Sequence, residues 1–271
     1  MMFRPFPATT LAAVAALAAA LAHVPAAAET ASPSPAREHV CAAPANLTHL
    51  DFPLNRLANR LRRGEPAKIV AIGSSSTAGA GASSPAASYP SRLQVELREL
   101  FPQRNITVVN RGVNGEEARE MLARLDAGVI AEKPDLVLWQ MGTNAVLRDQ
   151  PLVPAGTLIH EGIQRIKAAG ADVVLIDPQF APKVLAKVEV DDMVDLIATA
   201  SKLENVGLFH RFAVMRYWRQ TVGIPYGAFL SLDELHMNDW GYGCVAKLLA
   251  RSIADAAMRS GMSASASALA R

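Results

Sequence analysis

Charge is scarce in this chain. Only 19% of its 271 residues are Asp, Glu, Lys or Arg, and 27 basic against 25 acidic side chains leave a formal net charge of +2. With so small an excess, scattered along the sequence, there is no electrostatic footprint for a nucleic acid and no basic coat for a membrane surface. No nucleic-acid partner is expected; a neutral or small-molecule one is. Aromatic residues amount to 6%, and Trp139, Trp218, Trp240 and Tyr242 read as core or helix packing rather than a sugar platform. Cysteine is almost missing: Cys41 and Cys244 cannot by themselves complete a structural zinc site, which takes four Cys or His ligands. No metal dependence and no cofactor is expected. An oxidising compartment would let the two cysteines pair, and two free buried thiols are the alternative.

Two loop signatures are missing as well. The glycines after Ser76 lack the Gly-Lys-Ser/Thr ending of a phosphate loop and do not make Gly-x-Gly-x-x-Gly, which argues against a nucleotide site. Gly73 to Gly79 does not supply Gly-x-Ser-x-Gly, the elbow of an α/β-hydrolase. Nor is there a long apolar run: the stretch from about Leu11 to Ala22 is roughly a dozen residues, short of the ~20 a membrane-spanning helix needs. That stretch follows Arg4 and precedes Ala26 and Ala28, the three-part layout of a secretory signal. The expectation is a signal over residues 1–28, export to the periplasm or medium, and no stable membrane span after cleavage. A Pro-, Ala- and Ser-rich lead-in follows over 29–46, a domain over 47–260, and a low-complexity, disordered tail over 261–271.

What the domain does contain is alternation. Five apolar runs, "KIVAIG", "ITVVNRG", "DLVLWQMG", "DVVLIDPQ" and "VGLFHRF", are rich in Val, Ile and Leu without polar alternation, as in strands buried on both faces. Between them "YPSRLQVELRELF", "EEAREMLARLDAGVIAE", "TLIHEGIQRIKAAG" and "VDDMVDLIATASKL" carry apolar residues at helical spacing, as crossovers between parallel strands require. The predicted fold is α/β: a three-layer, flavodoxin-like parallel sheet of about five strands with helices on both faces. In such folds ligands bind at the carboxyl ends of the strands.

Polar residues gather at those ends. The first strand runs into Ser74, Ser75, Ser76 and Thr77, the second into Asn110, Gly112 and Asn114, the third into Gly142, Thr143 and Asn144. Further on, Asp233 and His236 stand three residues apart before a helix beginning near Asn238 or Asp239. A histidine takes a proton from a hydroxyl only when a second group sets its tautomer, and a nearby carboxylate does that. Glu234 and Asp239 are alternative partners.

Four blocks in this order resemble those of the SGNH hydrolases, also called GDSL-type lipases and esterases. Gly73-Ser74-Ser75-Ser76-Thr77 is similar to the family's Gly-Asp-Ser-x-Thr, Gly112 to its second-block glycine, Gly142-Thr143-Asn144-Ala145 to Gly-x-Asn-Asp, and Asp233-Glu234-Leu235-His236 to Asp-x-x-His. The resemblance implies a catalytic triad of Ser75, Asp233 and His236, with an oxyanion hole made by the backbone N–H groups of Ser75 and Gly112 and the side chain of Asn144. The reaction it implies is cleavage of carboxylic esters through an acyl-enzyme, with acetyl or other short acyl groups on carbohydrate or small lipid as substrates. Two positions depart from the family: Ser74 and Ala145 stand where it has aspartates. Altered loop hydrogen bonding is expected there, with Ser74, Ser76 and Thr77 bonding the turn's backbone or capping the next segment. In the loop from Asp177 to Asp192, Gln179 and Phe180 are the expected substrate contacts. Two other readings fit the same blocks: a carbohydrate O-acetyltransferase using the same triad, and a noncatalytic binding module.

Overall fold

The apolar runs form β1 (Ala67–Gly73), β2 (Ile106–Gly112), β3 (Leu136–Gln140), β4 (Asp172–Ile176) and β5 (Gly207–Phe209) in a computed structural model that describes residues 40–269, with side chains described through 259. The segment read as a signal, residues 1–28, and the lead-in as far as residue 39 lie outside the described residues. All pairings are parallel, Ile69 standing opposite both Val108 and Leu136, and the strand order is β2-β1-β3-β4-β5. This is the flavodoxin-type order, in which the chain reverses direction across the sheet at the β1/β3 boundary and opens a crevice above the strand ends. Every residue of β3 is buried, as a central strand covered on both faces must be, whereas β2 at the edge is only partly so.

On one side of the sheet the helices Asn55–Arg63, Tyr89–Leu100 and Asp239–Leu269 pack together; on the other, Leu152–Ala168 packs against Val190–Glu204. The first ends at Gly64 in the left-handed conformation (φ 69°), where its amphipathic pattern stops. Among the described residues no helix is long and apolar enough to cross a membrane.

Three boundaries differ from expectation. The crossover predicted as one helix from Glu116 is broken into Ala118–Ala123, Leu125–Gly128 and a 3-10 turn at Ile130–Glu132. Leu122, Leu125 and Val129 are all buried, so the helical spacing is real, but Arg124 leaves the helical region (φ −108°, ψ 8°) and turns its guanidinium back onto Glu116. The final helix continues to Leu269, through the segment read as disordered; its alanines favour helix. And the lead-in is fixed before Leu47. Cys41 and Cys244 form a disulfide, settling the pairing left open above, and the Trp218 indole N–H donates to Ala42 O at 2.9 Å.

Candidate active site

The three serines after β1 have three different environments. Ser74 donates to Gln140 Oε1 through both its N–H (3.0 Å) and its hydroxyl (3.1 Å), and Thr77 Oγ1 donates to the same oxygen at 3.1 Å. The turn is therefore held from the end of β3 by one glutamine side chain, where backbone or capping contacts were expected. Ser76 is buried and donates at 3.4 Å to Gln179 Oε1. Ser75 alone is partly open, as the first residue of the short helix Ser75–Ala78. Its N–H, being first, has no acceptor within that helix.

His236 reaches Ser75 from the segment that precedes the last helix. Its Nε2 lies 2.7 Å from Ser75 Oγ and its Nδ1 lies 2.5 Å from Asp233 Oδ2. An ionised Asp233 can only accept, so Nδ1 carries the proton and Nε2 is left as an acceptor for the serine hydroxyl. Asp233 also shapes its own loop: Oδ1 accepts from the Ser231 hydroxyl (2.6 Å) and from the N–H groups of Leu235 (3.0 Å) and His236 (2.9 Å). Partial burial pushes the Asp233 carboxyl up, but the bonds from Ser231, His236 and the loop backbone outweigh it and hold the group well below the usual carboxylate range. The other acids are accounted for elsewhere. Glu234 is exposed in the left-handed region (φ 57°), and Asp239 accepts from the Ser83 N–H and hydroxyl.

The loop of glycines and alanines after Ser75 passes close beneath the histidine. A Cβ on Gly81 (φ 85°) would stand 2.9 Å from His236 Cβ and 2.6 Å from Met237 O, so any side chain there would displace the histidine loop. Ala80 O, next to it, accepts from the buried Tyr242 hydroxyl at 2.6 Å, anchoring the loop to the final helix.

At the third strand end, Asn144 lies in the helix Thr143–Leu147, partly open, with Nδ2 donating to Glu116 O at 2.8 Å. That bond uses one amide hydrogen and leaves the other free to point elsewhere. Gly112 does not fit its expected part. Its N–H donates to Asn110 Oδ1 at 2.9 Å, and a Cβ there would stand 2.1 Å from Ala78 N. The missing side chain lets the Ser75 helix lie against β2. Further along the chain the Val113 N–H donates to Gly73 O, whereas no hydrogen bond of the Asn114 or Gly115 N–H occurs among the described residues; Gly115 is the one beside Glu116, whose carbonyl holds Asn144.

Gln179 and Phe180 also depart from expectation. Gln179 is 1% and Phe180 4% exposed. The first is occupied by internal hydrogen bonds; the second packs edge-on against Phe212, with ring centroids 5.2 Å apart. Neither presents surface to a substrate, because the chain leaving β4 dives beneath the histidine loop instead of walling the crevice. A cavity of about 220 Å³ opens beside Asn144, lined by Met141, Ala145, Pro151, Pro154, Leu158 and Met193 among others, but by neither Ser75 nor His236. Among the described residues no group of three or more His, Cys, Asp or Glu side chains is placed to hold a metal ion. Sequence reasoning missed Gln140, Ser231 and Arg211. Only Gln140 carried a signal, a polar residue ending an otherwise apolar strand.

The profile of the Non-GDSL lipase-like family matches residues 40–259. An acetylxylan esterase of Geobacillus stearothermophilus is 41% identical over 56 residues, 21% of this chain and 26% of that protein. An arylesterase of Vibrio mimicus is 34% identical over 95 residues, 35% of this chain and 46% of that protein. The chain therefore aligns with less than half the length of these curated relatives. Among solved structures, a two-domain esterase active on acetylated mannans superimposes with a TM-score of 0.65 at 20% identity, over 78% of this chain and 56% of that one. The likeness at that identity is one of fold.

Proposed function

The chain belongs to the non-GDSL lipase-like family, and from that premise we propose that it is an exported serine ester hydrolase working through an acyl-enzyme on Ser75. The observation that carries the reading is the single imidazole of His236 bonded on one side to Ser75 Oγ and on the other to Asp233. Ser75 Oγ bonds to the ester carbonyl carbon as its proton passes to His236 Nε2, and Asp233 stabilises the imidazolium so formed. Collapse of the tetrahedral intermediate breaks the bond to the alcohol, which leaves with the proton from Nε2. Water then attacks the acyl-enzyme by the same proton route and releases the acid.

The developing oxyanion is met by the Ser75 N–H and the Asn144 amide. We assign the third donor to Gly115 instead of Gly112, whose N–H is engaged by Asn110. Donors aimed at that charge are typically worth about 10²–10³ in rate each. For substrate, acetyl or other short acyl groups on carbohydrate or a small lipid are the class we infer; it is supported by the relatives being an acetylxylan esterase and an arylesterase, and by the fold neighbour's activity on acetylated mannans. Export is supported by the N-terminal layout and by the disulfide, which persists in an oxidising compartment.

The test is hydrolysis of a chromogenic acetyl ester by protein starting at Glu29, beside Ser75→Ala, with fluorophosphonate labelling. Turnover and labelling in the first and neither in the second is the expected result. Folded protein that does neither refutes the reading, and acetate moved to an added sugar instead of water would mark a transferase.

A further inference from the structure

Beneath the triad lies a buried polar group that this mechanism leaves unused. Gln179 Oε1 accepts from Thr143 Oγ1 (2.9 Å), from Arg211 Nη2 (2.9 Å) and from Ser76 Oγ (3.4 Å), while Nε2 donates to Leu235 O (3.3 Å). Ser76 follows Ser75, Thr143 precedes Asn144, and Leu235 precedes His236. A single side chain at the end of β4 thus touches three separate loops, in each case one residue from a group of the proposed reaction. These loops come from β1, from β3 and from the segment before the last helix, and no backbone ladder joins them at that level.

Arg211 decides which way the amide faces. A guanidinium only donates, so Oε1 must point toward it, and the NH₂ group is thereby sent to Leu235 O. Arg211 is itself 1% exposed and anchored by Nε to Asp177 O at 2.9 Å, while its Nη1 has no hydrogen-bond partner among the described residues. Filling a core does not call for an incompletely bonded guanidinium: a buried unsatisfied donor is destabilising, and an apolar side chain of similar volume would avoid that. Fixing the orientation of a hub that must offer its oxygen to two hydroxyls on one side and its NH₂ to a carbonyl on the other does call for one.

We propose that Gln179, oriented by Arg211, is a positioning residue that holds Ser75, Asn144 and His236 in register with one another. The inference rests on the ester-hydrolase reading above. A misplacement of about 1 Å among such groups can cost about 10² in rate, which sets the scale of the effect.

The test compares Gln179→Leu, Thr143→Val, their double variant and Gln179→Glu, each shown to be folded by circular dichroism. Gln179→Leu and Thr143→Val should lower kcat on a chromogenic acetyl ester about 10-fold to 100-fold with KM little changed. Their losses should not add in the double variant, because both cut the same contact. Gln179→Glu keeps an oxygen toward Thr143, Ser76 and Arg211 but replaces the donor to Leu235 O by an acceptor, so it should recover only part of the kcat lost in Gln179→Leu. Unchanged kcat in the folded variants, or losses that add, overturns the proposal. If Gln179→Leu does not fold, the Thr143→Val and Gln179→Glu comparison carries the same decision. A readout independent of turnover separates this inference from the one it rests on. The downfield proton resonance of His236 Nδ1, hydrogen-bonded to Asp233, should shift or broaden in Gln179→Leu and Thr143→Val. If it stays unmoved, positioning is refuted whether or not the protein cleaves esters; if it moves in a protein without esterase activity, only the ester-hydrolase reading falls.

Discussion

Replacing Asp233 by Asn is the perturbation whose outcome the site geometry specifies most fully. Three of the four hydrogen bonds to this side chain end on Oδ1 and come from Ser231, Leu235 and His236 of its own loop. An asparagine that keeps its oxygen there preserves the loop. The NH₂ group then replaces Oδ2 and faces His236 Nδ1, the atom that lies 2.5 Å away. Two donors cannot share that contact, so Nδ1 must become the acceptor and the ring proton moves to Nε2, which faces Ser75 Oγ and can no longer take its proton. A tautomer locked the wrong way costs about 10⁴ in kcat in other triads, or about 5.5 kcal/mol of transition-state stabilisation. Asp233 is 43% exposed, so water competes for the new contact and the expected loss is about 10³–10⁴. Steady-state kinetics on a chromogenic acetyl ester reads it, with thermal unfolding as the check that the loop persists. A loss below about tenfold (1.4 kcal/mol) in a folded Asp233→Asn protein would mean that Asp233 does not set the tautomer, and the reasoning would fail.

Three further outcomes follow from particular contacts. Asn144→Ala should lower kcat by about 10²–10³ with little change in KM, as the proposed oxyanion role requires of a donor to charge that exists only in the transition state; a KM effect alone would assign Asn144 to ground-state binding. Cys41→Ser opens a loop with a sequence separation of 203 residues, for which the chain-entropy account gives about 5 kcal/mol, and urea unfolding with and without reductant measures it. An unchanged midpoint would show that the disulfide adds nothing to stability. Burial pushes the Asp177 carboxyl up to about 7 and that of Asp172 to about 6, against backbone hydrogen bonds from Phe212 and Leu57 that act the other way. Each is protonated in the folded protein at a pH where the unfolded chain has already ionised, so the contribution of each to stability is fullest near pH 4 and falls away as the pH rises to about 7, while His210, its imidazole pKa lowered by burial, contributes in the opposite sense. Asp177→Asn should flatten that fall in urea midpoints taken from pH 4 to 8, and a midpoint that climbs with pH in the native protein, with no change in slope in the variant, would contradict it.

Much of the architecture was legible because it rests on local patterns. Strands buried on both faces must be apolar throughout, and β1, β3 and β4 announce themselves that way. Parallel strands must be joined by crossovers, so the alternation of the two patterns implies the sheet. The broken crossover after Gly115 escaped because burial of Leu122, Leu125 and Val129 follows the same spacing whether or not Arg124 leaves the helix. Gly112 was legible as a glycine with a reason, but the reason was the backbone of Ala78 rather than an approaching substrate. Gln179 and Phe180 were placed correctly at a strand end and wrongly at a surface, since sequence gives proximity to the crevice and not the direction of a side chain.

Composition and periodicity by themselves determined the fold class and the crevice above the strand ends, and the resemblance of four short blocks to a known family singled out Ser75, Asn144, Asp233 and His236 as the residues to examine there. These are matters of side-chain type and short-range spacing, which the chain carries before it folds. Which acid bonds His236, which N–H groups remain free, whether Cys41 reaches Cys244, and the role of Gln140, Gln179 and Arg211 under the loops were decided only by tertiary structure. Each depends on contacts between segments far apart in the chain, and a hydrogen bond is made or lost over a few tenths of an ångström that no spacing in the sequence records.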